Sequence, residues 1–401
     1  MVTLTAPSAS PPVPLGPVPS PADRGPGRPS LRRLGPNWYA PVMGTAAVGT
    51  AGWGLAAAPG GAQLAGLGLP PVAATAVRTG ATGVWALSAL LLAVLLTARA
   101  VHRTRYPDQV RADLLDPAVA PFYGCLSMAL LAVGAGATTA GRELLGPAAL
   151  PVAAALFTAG TATGLVVAVA VPYLMVVRHR VAPGSATPVW LLPVVAPMVS
   201  AATGPLLVPH LPPGQAREAL LLGCWAMFGL SLLATLLILP VVFARLLHHG
   251  PLPLALTPSL FLVLGPLGQS TTAVGKLADA APGAIGEPYA RGLAVLAVVH
   301  GVPVLGFALL WLALAVAMVV RAGRAGMPFT LGWWAFTFPV GTCVTGAQVL
   351  AERTGLTAYA WLAVALYAAL LAAWAVAAAL TARGLLRGEL LREPRPAPPG
   401  R

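Results

Sequence analysis

The sequence predicts an all-α integral membrane protein of ten transmembrane helices, and three observations carry that prediction. Only 9% of the 401 residues are charged and 57% are hydrophobic, whereas a soluble globular domain carries about 25% charged residues. Apolar runs long enough to cross a bilayer, which takes about 20 residues, recur ten times. The runs also alternate in kind, one rich in proline, glycine and small polar residues and the next a smoother run of Leu, Ala and Val.

Residues 1–36 are rich in Pro, Ser and Gly with scattered arginines. They hold no apolar run, so they are expected to be a disordered tail and neither a signal peptide nor a folded domain. The spans then fall at 38–58, 79–101, 119–140, 148–177, 188–208, 219–247, 254–278, 289–320, 329–351 and 357–386, within one transport domain over 37–386. The longest must tilt or project from the bilayer. Residues 387–401 are an Arg/Pro tail.

The charges test this count. With the N-terminus on the inner side, eighteen of the 24 basic residues fall in inner segments and six in outer ones, while the eleven acids divide six to five. That is the positive-inside pattern; it puts both termini in the cytoplasm and demands an even number of spans. The formal charge of +13 is therefore a topology signal, and no nucleic-acid partner is expected. Cys125, Cys224 and Cys343 are isolated in apolar segments, which indicates neither a disulfide framework nor a metal site. No cofactor is expected.

The odd-numbered spans carry the breakers: Pro41 with Gly44 and Thr45, Pro121 with Gly124 and Ser127, Pro193 and Pro197 with Ser200, Pro266 with Gln269 and Ser270, and Pro339 with Thr342. Broken backbone is tolerated at membrane depth only where it is buried in protein or lines a water-filled cavity. The economical arrangement has five helices kinked at Pro41, Pro121, Pro197, Pro266 and Pro339 inside five smooth ones, built from five helical hairpins. It amounts to a weak internal repeat.

The stretch Trp333–Gly346, WWAFTFPVGTCVTG, is the richest in such features. Pro339 has no N–H and is expected to free the Ala335 carbonyl. From Phe338, the positions i+4 and i+7 are Thr342 and Thr345, so one helix face carries a phenyl ring followed by two hydroxyls; Phe336 points roughly the other way. Two readings fit: a kinked helix packed in a bundle, its threonines bonding their own backbone, or a helix lining a narrow path.

Four segments resemble signatures of the tellurite-resistance/dicarboxylate transporter family: Asn37–Thr45 (NWYAPVMGT), Trp190–Gly204 (WLLPVVAPMVSAATG), Pro258–Thr271 (PSLFLVLGPLGQST) and Trp333–Gly346. That family includes tellurite-resistance membrane proteins, fungal malate permeases and sulfite efflux pumps, and the slow anion channels of plants. The resemblance covers 37–386. It implies five hairpins with quasi-fivefold symmetry about a central pore, a homotrimer with one pore per subunit, and an aromatic gate that falls on Phe338. The long arginine-bearing N-terminal tail, Lys276 and His300 depart from the pattern.

No Asp or Glu lies well inside any span. Ion-coupled carriers commonly keep a buried carboxylate, so its absence favours an anion path with a neutral lining that binds weakly enough for release. The candidate lining residues are Thr45, Ser200, Gln269, Ser270, Thr342 and Thr345, with helix–helix knitting as the alternative reading of each. Phe338 lies about nine residues into its span, roughly 13 Å deep, where a ring can close a pore. His300, near mid-membrane, either serves the path or bonds a neighbouring helix; Lys276 either draws anions to the outer mouth or snorkels to the interface.

The expected function is channel-like, potential-driven passage of small inorganic or organic anions across the cytoplasmic membrane, with no enzymatic chemistry. The alternatives are a carrier for C4-dicarboxylates such as malate, or for sulfite, proton-coupled through His300 or through the substrate, and a membrane-embedded lipid or prenyl enzyme. For the last, Asp108, Asp113 and Asp116 form the sole acidic cluster, and their spacing matches no metal motif.

Overall fold

The computed structural model describes residues 31–57, 67, 70–182 and 184–391; the N-terminal tail before residue 31 and the C-terminal tail after 391 lie outside them. Among the described residues there is no strand. The principal helices are α1 (Tyr39–Ala57), α2 (Pro71–Arg105), α3 (Gly124–Ala137), α4 (Ala149–Val177), α5 (Leu192–Thr203), α6 (Gln215–His249), α7 (Leu264–Ala280), α8 (Glu287–Arg324), α9 (Phe338–Thr354) and α10 (Thr357–Leu386). Among the described residues, seven helical stretches are long and apolar enough to cross a membrane: Pro71–Arg105, Ala120–Ala137, Arg142–Val177, Pro188–His210, Gln215–His249, Glu287–Arg324 and Thr357–Leu386. The expectation of ten is met by these criteria only in part. In α1, α7 and α9, Gly, Thr and other polar residues dilute the apolarity.

Burial divides the helices into two classes. In Ala120–Ala137 and Pro188–His210, 78% and 83% of the apolar window is buried, against 17–33% in the other five candidate spans. Helices α7 and α9 belong with the buried class along almost their whole length. The even-numbered helices instead expose large aliphatic side chains such as Val176, Leu237 and Leu310, a surface suited to lipid.

Each odd-numbered helix packs on the even-numbered helix that follows it, giving the pairs α1–α2, α3–α4, α5–α6, α7–α8 and α9–α10. The odd helices also touch one another in sequence, α1 to α3, α5, α7, α9 and back to α1, so their contacts close a ring. A 3₁₀ segment runs into each one: Pro36–Trp38, Ala120–Tyr123, Pro188–Leu191, Leu254–Val263 and Leu331–Phe336. Those segments contact each other in the same order, and Leu331–Phe336 contacts α1. All five inner helices therefore start at one end of the bundle and run the same way.

The prolines explain the junctions. Pro41, Pro266 and Pro339 occupy the first turn of α1, α7 and α9, and Pro121 lies in the 3₁₀ segment before α3. The missing N–H costs nothing in a first turn, so four of the five prolines mark a change of helix type where a mid-helix kink was expected. Pro197 alone lies within the body of its helix, α5.

Indole N–H groups tie outer helices to the ring. Trp85 of α2 donates to the Val133 carbonyl of α3 at 3.0 Å, and Trp311 of α8 to the Leu260 carbonyl before α7 at 2.9 Å. Both indoles are buried, where a donor must find a protein partner, and each bond contributes about 1 kcal/mol. At the 3₁₀ end, residues 31–36 are held against α2 and the short helix Pro107–Leu115 that follows it: Arg32 pairs with Asp108, Arg99 donates to the Leu34 carbonyl, and a ring nitrogen of buried His102 lies 3.1 Å from the Arg32 carbonyl.

Candidate functional site

The ring of inner helices encloses a cavity of about 200 Å³ that narrows at Phe338. Its lining repeats at helical spacing on every inner helix. From α1 come Ala47, Thr50 and Gly54; from α3, Ala132 and Ala135, with Thr139 just past its end; from α5, Val199 and Ala202, with Leu206 just past its end. Helix α7 supplies Gln269, Thr272 and Lys276, and α9 supplies Phe338, Thr342, Thr345, Val349 and Glu352. A spacing of three and then four residues keeps one face of each helix on the space.

One turn nearer the 3₁₀ end, the same face supplies one residue per helix: Met43, Met128, Val195, Gly265 and Phe338. They border a space of about 10 Å³, too small for more than about one water molecule. Beyond it, among the 3₁₀ segments, a second space of about 50 Å³ opens between Met43, Leu192, Leu262, Trp334 and Pro339. Phe338, only 6% exposed, borders both the large cavity and the pinched space.

Local chemistry fixes the phenyl ring. Thr330 caps the 3₁₀ segment by accepting from the Gly332 N–H. Thr337, fully buried, donates its hydroxyl to the Trp334 carbonyl at 2.6 Å. Helix α9 then begins at Phe338, with Pro339 in its first turn. Phe336, on the other side of the backbone, stacks edge-on against Phe261 (4.8 Å) and Trp333 (5.7 Å).

Of the six predicted lining residues, Gln269, Thr342 and Thr345 border the cavity. The other three turn outward to the surrounding helices. Thr45 bonds the Pro41 carbonyl and accepts from Trp374; Ser200 accepts from Thr161 at 2.9 Å; Ser270 bonds the Leu267 carbonyl and meets His300 at 3.2 Å. His300 thus packs between helices, with its ring edge on Phe228 at 5.4 Å. Lys276 borders the wide end of the cavity, where its ammonium lies 3.4 Å from Asp279 and Asp279 also pairs with Arg353. Sequence reasoning missed Thr50, Thr272, Gln348 and Glu352. Gln348 and Glu352, three and seven residues beyond Thr345, continue the face that Phe338, Thr342 and Thr345 begin, and were a usable signal.

The acidic cluster forms no common site: Asp108 pairs with Arg32, Asp113 accepts from Gln109 and Asp116 accepts from the Ala118 N–H.

Comparison with known proteins adds an independent finding. Residues 33–382 match the voltage-dependent anion channel family. Among individual relatives, an uncharacterized transporter of Methanocaldococcus jannaschii is 25% identical over 90% of this chain and 96% of its own length. A sulfite efflux pump of Trichophyton rubrum is 28% identical over 67% of this chain and 72% of its own length. A second sulfite efflux pump, from Arthroderma otae, is 26% identical over 74% and 80%.

Proposed function

The chain belongs to the voltage-dependent anion channel family, and from that premise we propose that it carries small anions through its own bundle, driven by the membrane potential and gated by Phe338. The observation that supports this most directly is the position of that ring between a 200 Å³ cavity on one side and a 10 Å³ pinch on the other. A phenyl ring in a narrow passage blocks it sterically and by excluding water. The lining suits anions because it is neutral along most of its length, with no carboxylate before Glu352 at the mouth, and brings the Gln269 amide to the path.

The reading carries a topology with it. Ten helices cross the cytoplasmic membrane as five hairpins, the odd ones around the path, and the basic excess sets the 3₁₀ end and both termini in the cytoplasm. The closed ring of helix contacts supports the arrangement. A homotrimer with one path per subunit is part of the same proposal; light scattering of the purified protein in detergent tests it, and a monomer removes it.

The deciding experiment is current across planar bilayers holding the wild type or Phe338→Ala, with chloride, nitrate, sulfite and malate in turn. An anion-selective current that grows in the variant is expected. No anion current in either protein sinks the channel reading.

The names of the fungal relatives favour a second reading, a sulfite carrier. Proton coupling in such a carrier falls to the substrate itself, because His300 faces Ser270 and Phe228 and not the cavity. Sulfite uptake that follows a pH gradient in vesicles, without current, and survives His300→Asn is the pattern this reading requires.

A further inference from the structure

Most hydrogen-bond donors on the cavity wall are already committed. Thr50 donates to the Ala46 carbonyl at 3.0 Å, Thr203 to Val199 at 2.9 Å and Thr342 to Pro339 at 2.6 Å. Thr345 and Thr272 share a hydrogen bond, 2.7 Å apart, and each also lies within reach of a backbone carbonyl. The Gln348 amide donates to the Ala51 carbonyl at 2.8 Å. What these side chains turn toward the space is mainly acceptor lone pairs, which do nothing for an anion.

Gln269 is different. It is 7% exposed and borders the cavity, and its amide makes no hydrogen bond to any other described residue. The amide opens to the cavity and is not sealed in protein, so its N–H groups are free to meet whatever occupies that space. It stands four residues beyond Gly265 on the same face of α7, immediately on the cavity side of the pinch. The one ammonium on the wall, that of Lys276, is a further seven residues away, roughly 10 Å along the helix, and is turned to Asp279.

We infer that the Gln269 side-chain amide is a binding site for a small monovalent anion, held by N–H donation just outside the Phe338 constriction. The inference rests on the anion-path reading and names the chemistry of that path. Two N–H groups of one neutral amide bind a compact anion without trapping it. They do not suit a four-carbon diacid. Its second carboxylate, roughly 4 Å from the first across three C–C bonds, would meet a wall whose hydroxyl protons are mostly committed to backbone carbonyls, and an unpaired charge there is costly.

The test is thermal unfolding of the purified full-length protein titrated with sodium nitrate, against sodium gluconate at equal ionic strength. Nitrate is expected to raise the Tm saturably in the wild type and malate is not. In Gln269→Leu the half-saturating nitrate concentration rises about tenfold or more, as expected for loss of a hydrogen bond to a charged group. Gln269→Met, unbranched and close in length, gives the same reading if the leucine variant does not fold. Equal half-saturation in wild type and variant, or no nitrate effect on the wild type, overturns the site. Bilayer currents of Phe338→Ala are judged apart from this: a silent Phe338→Ala counts against the anion path, whereas the nitrate titration alone decides the role of Gln269.

Discussion

Gly268 of α7 lies so close to Thr342 of α9 that a Cβ on it would stand 2.6 Å from the Thr342 carbonyl carbon and 2.6 Å from the Cys343 nitrogen. Neither atom belongs to a flexible side chain, so neither can yield cheaply. This contact sets the spacing between the helix that carries Gln269 and the helix that carries Phe338. Gly268→Ala is therefore expected to destabilise the protein by about 1–3 kcal/mol, read as a lower midpoint in thermal unfolding in detergent. An unchanged midpoint would mean that the two helices part without cost.

The two phenylalanines flanking Thr337 should behave in opposite ways. Phe338→Ala removes the ring at the pinch and is expected to raise anion current severalfold. Phe336→Ala removes a ring stacked on Phe261 and Trp333, so it should lower the unfolding midpoint and leave the current per folded molecule unchanged. Equal currents from the two variants would separate gating from the position of Phe338.

Gly265 is the one residue of the constriction without a side chain, and a Cβ added there meets nothing within 4 Å. The folded protein should accept Gly265→Val, whose methyl groups would point into the passage. In a Phe338→Ala background this second change is expected to remove most of the gained current while the unfolding midpoint stays within a degree or two. Full current in the double variant would show that ions pass elsewhere.

At the wide end, Lys276, Asp279, Glu352 and Arg353 bring two charges of each sign together. Their effect on an approaching anion depends on salt, because the screening length falls from about 30 Å at 0.01 M to about 3 Å at 1 M. Lys276→Gln should therefore reduce current at low salt and match wild type at high salt. The same current at both would leave Lys276 as a tether for Asp279.

Much of this architecture was legible in the residues. The fourth, sixth and tenth spans fall within a few residues of α4, α6 and α10, since long Leu/Ala/Val runs have few ways to fold in a bilayer; the second starts eight residues late. Phe338, Thr342 and Thr345 share a face because helical spacing requires it. The direction of the other hydroxyls was not legible: Thr45, Ser200 and Ser270 sit among breakers just as Thr342 does, but Trp374, Thr161 and His300 claim them from neighbouring helices. A partner so distant in sequence leaves no local mark. Nor do prolines reveal whether they kink a helix or open it, since the ring and missing N–H are the same in both settings.

The common direction of the five inner helices gives the passage an electrical polarity. Each helix carries the equivalent of about half a positive charge at its N-terminal end and half a negative charge at its C-terminal end. Five in parallel set a positive collar near Phe338 and a negative one at the mouth beside Glu352. An anion entering from the 3₁₀ end meets attraction first, and one entering from the wide end meets it last, so conduction should rectify even between identical solutions. A straight current–voltage line through the origin in symmetrical salt would show instead that water in the cavity has neutralised the dipoles before the ion feels them.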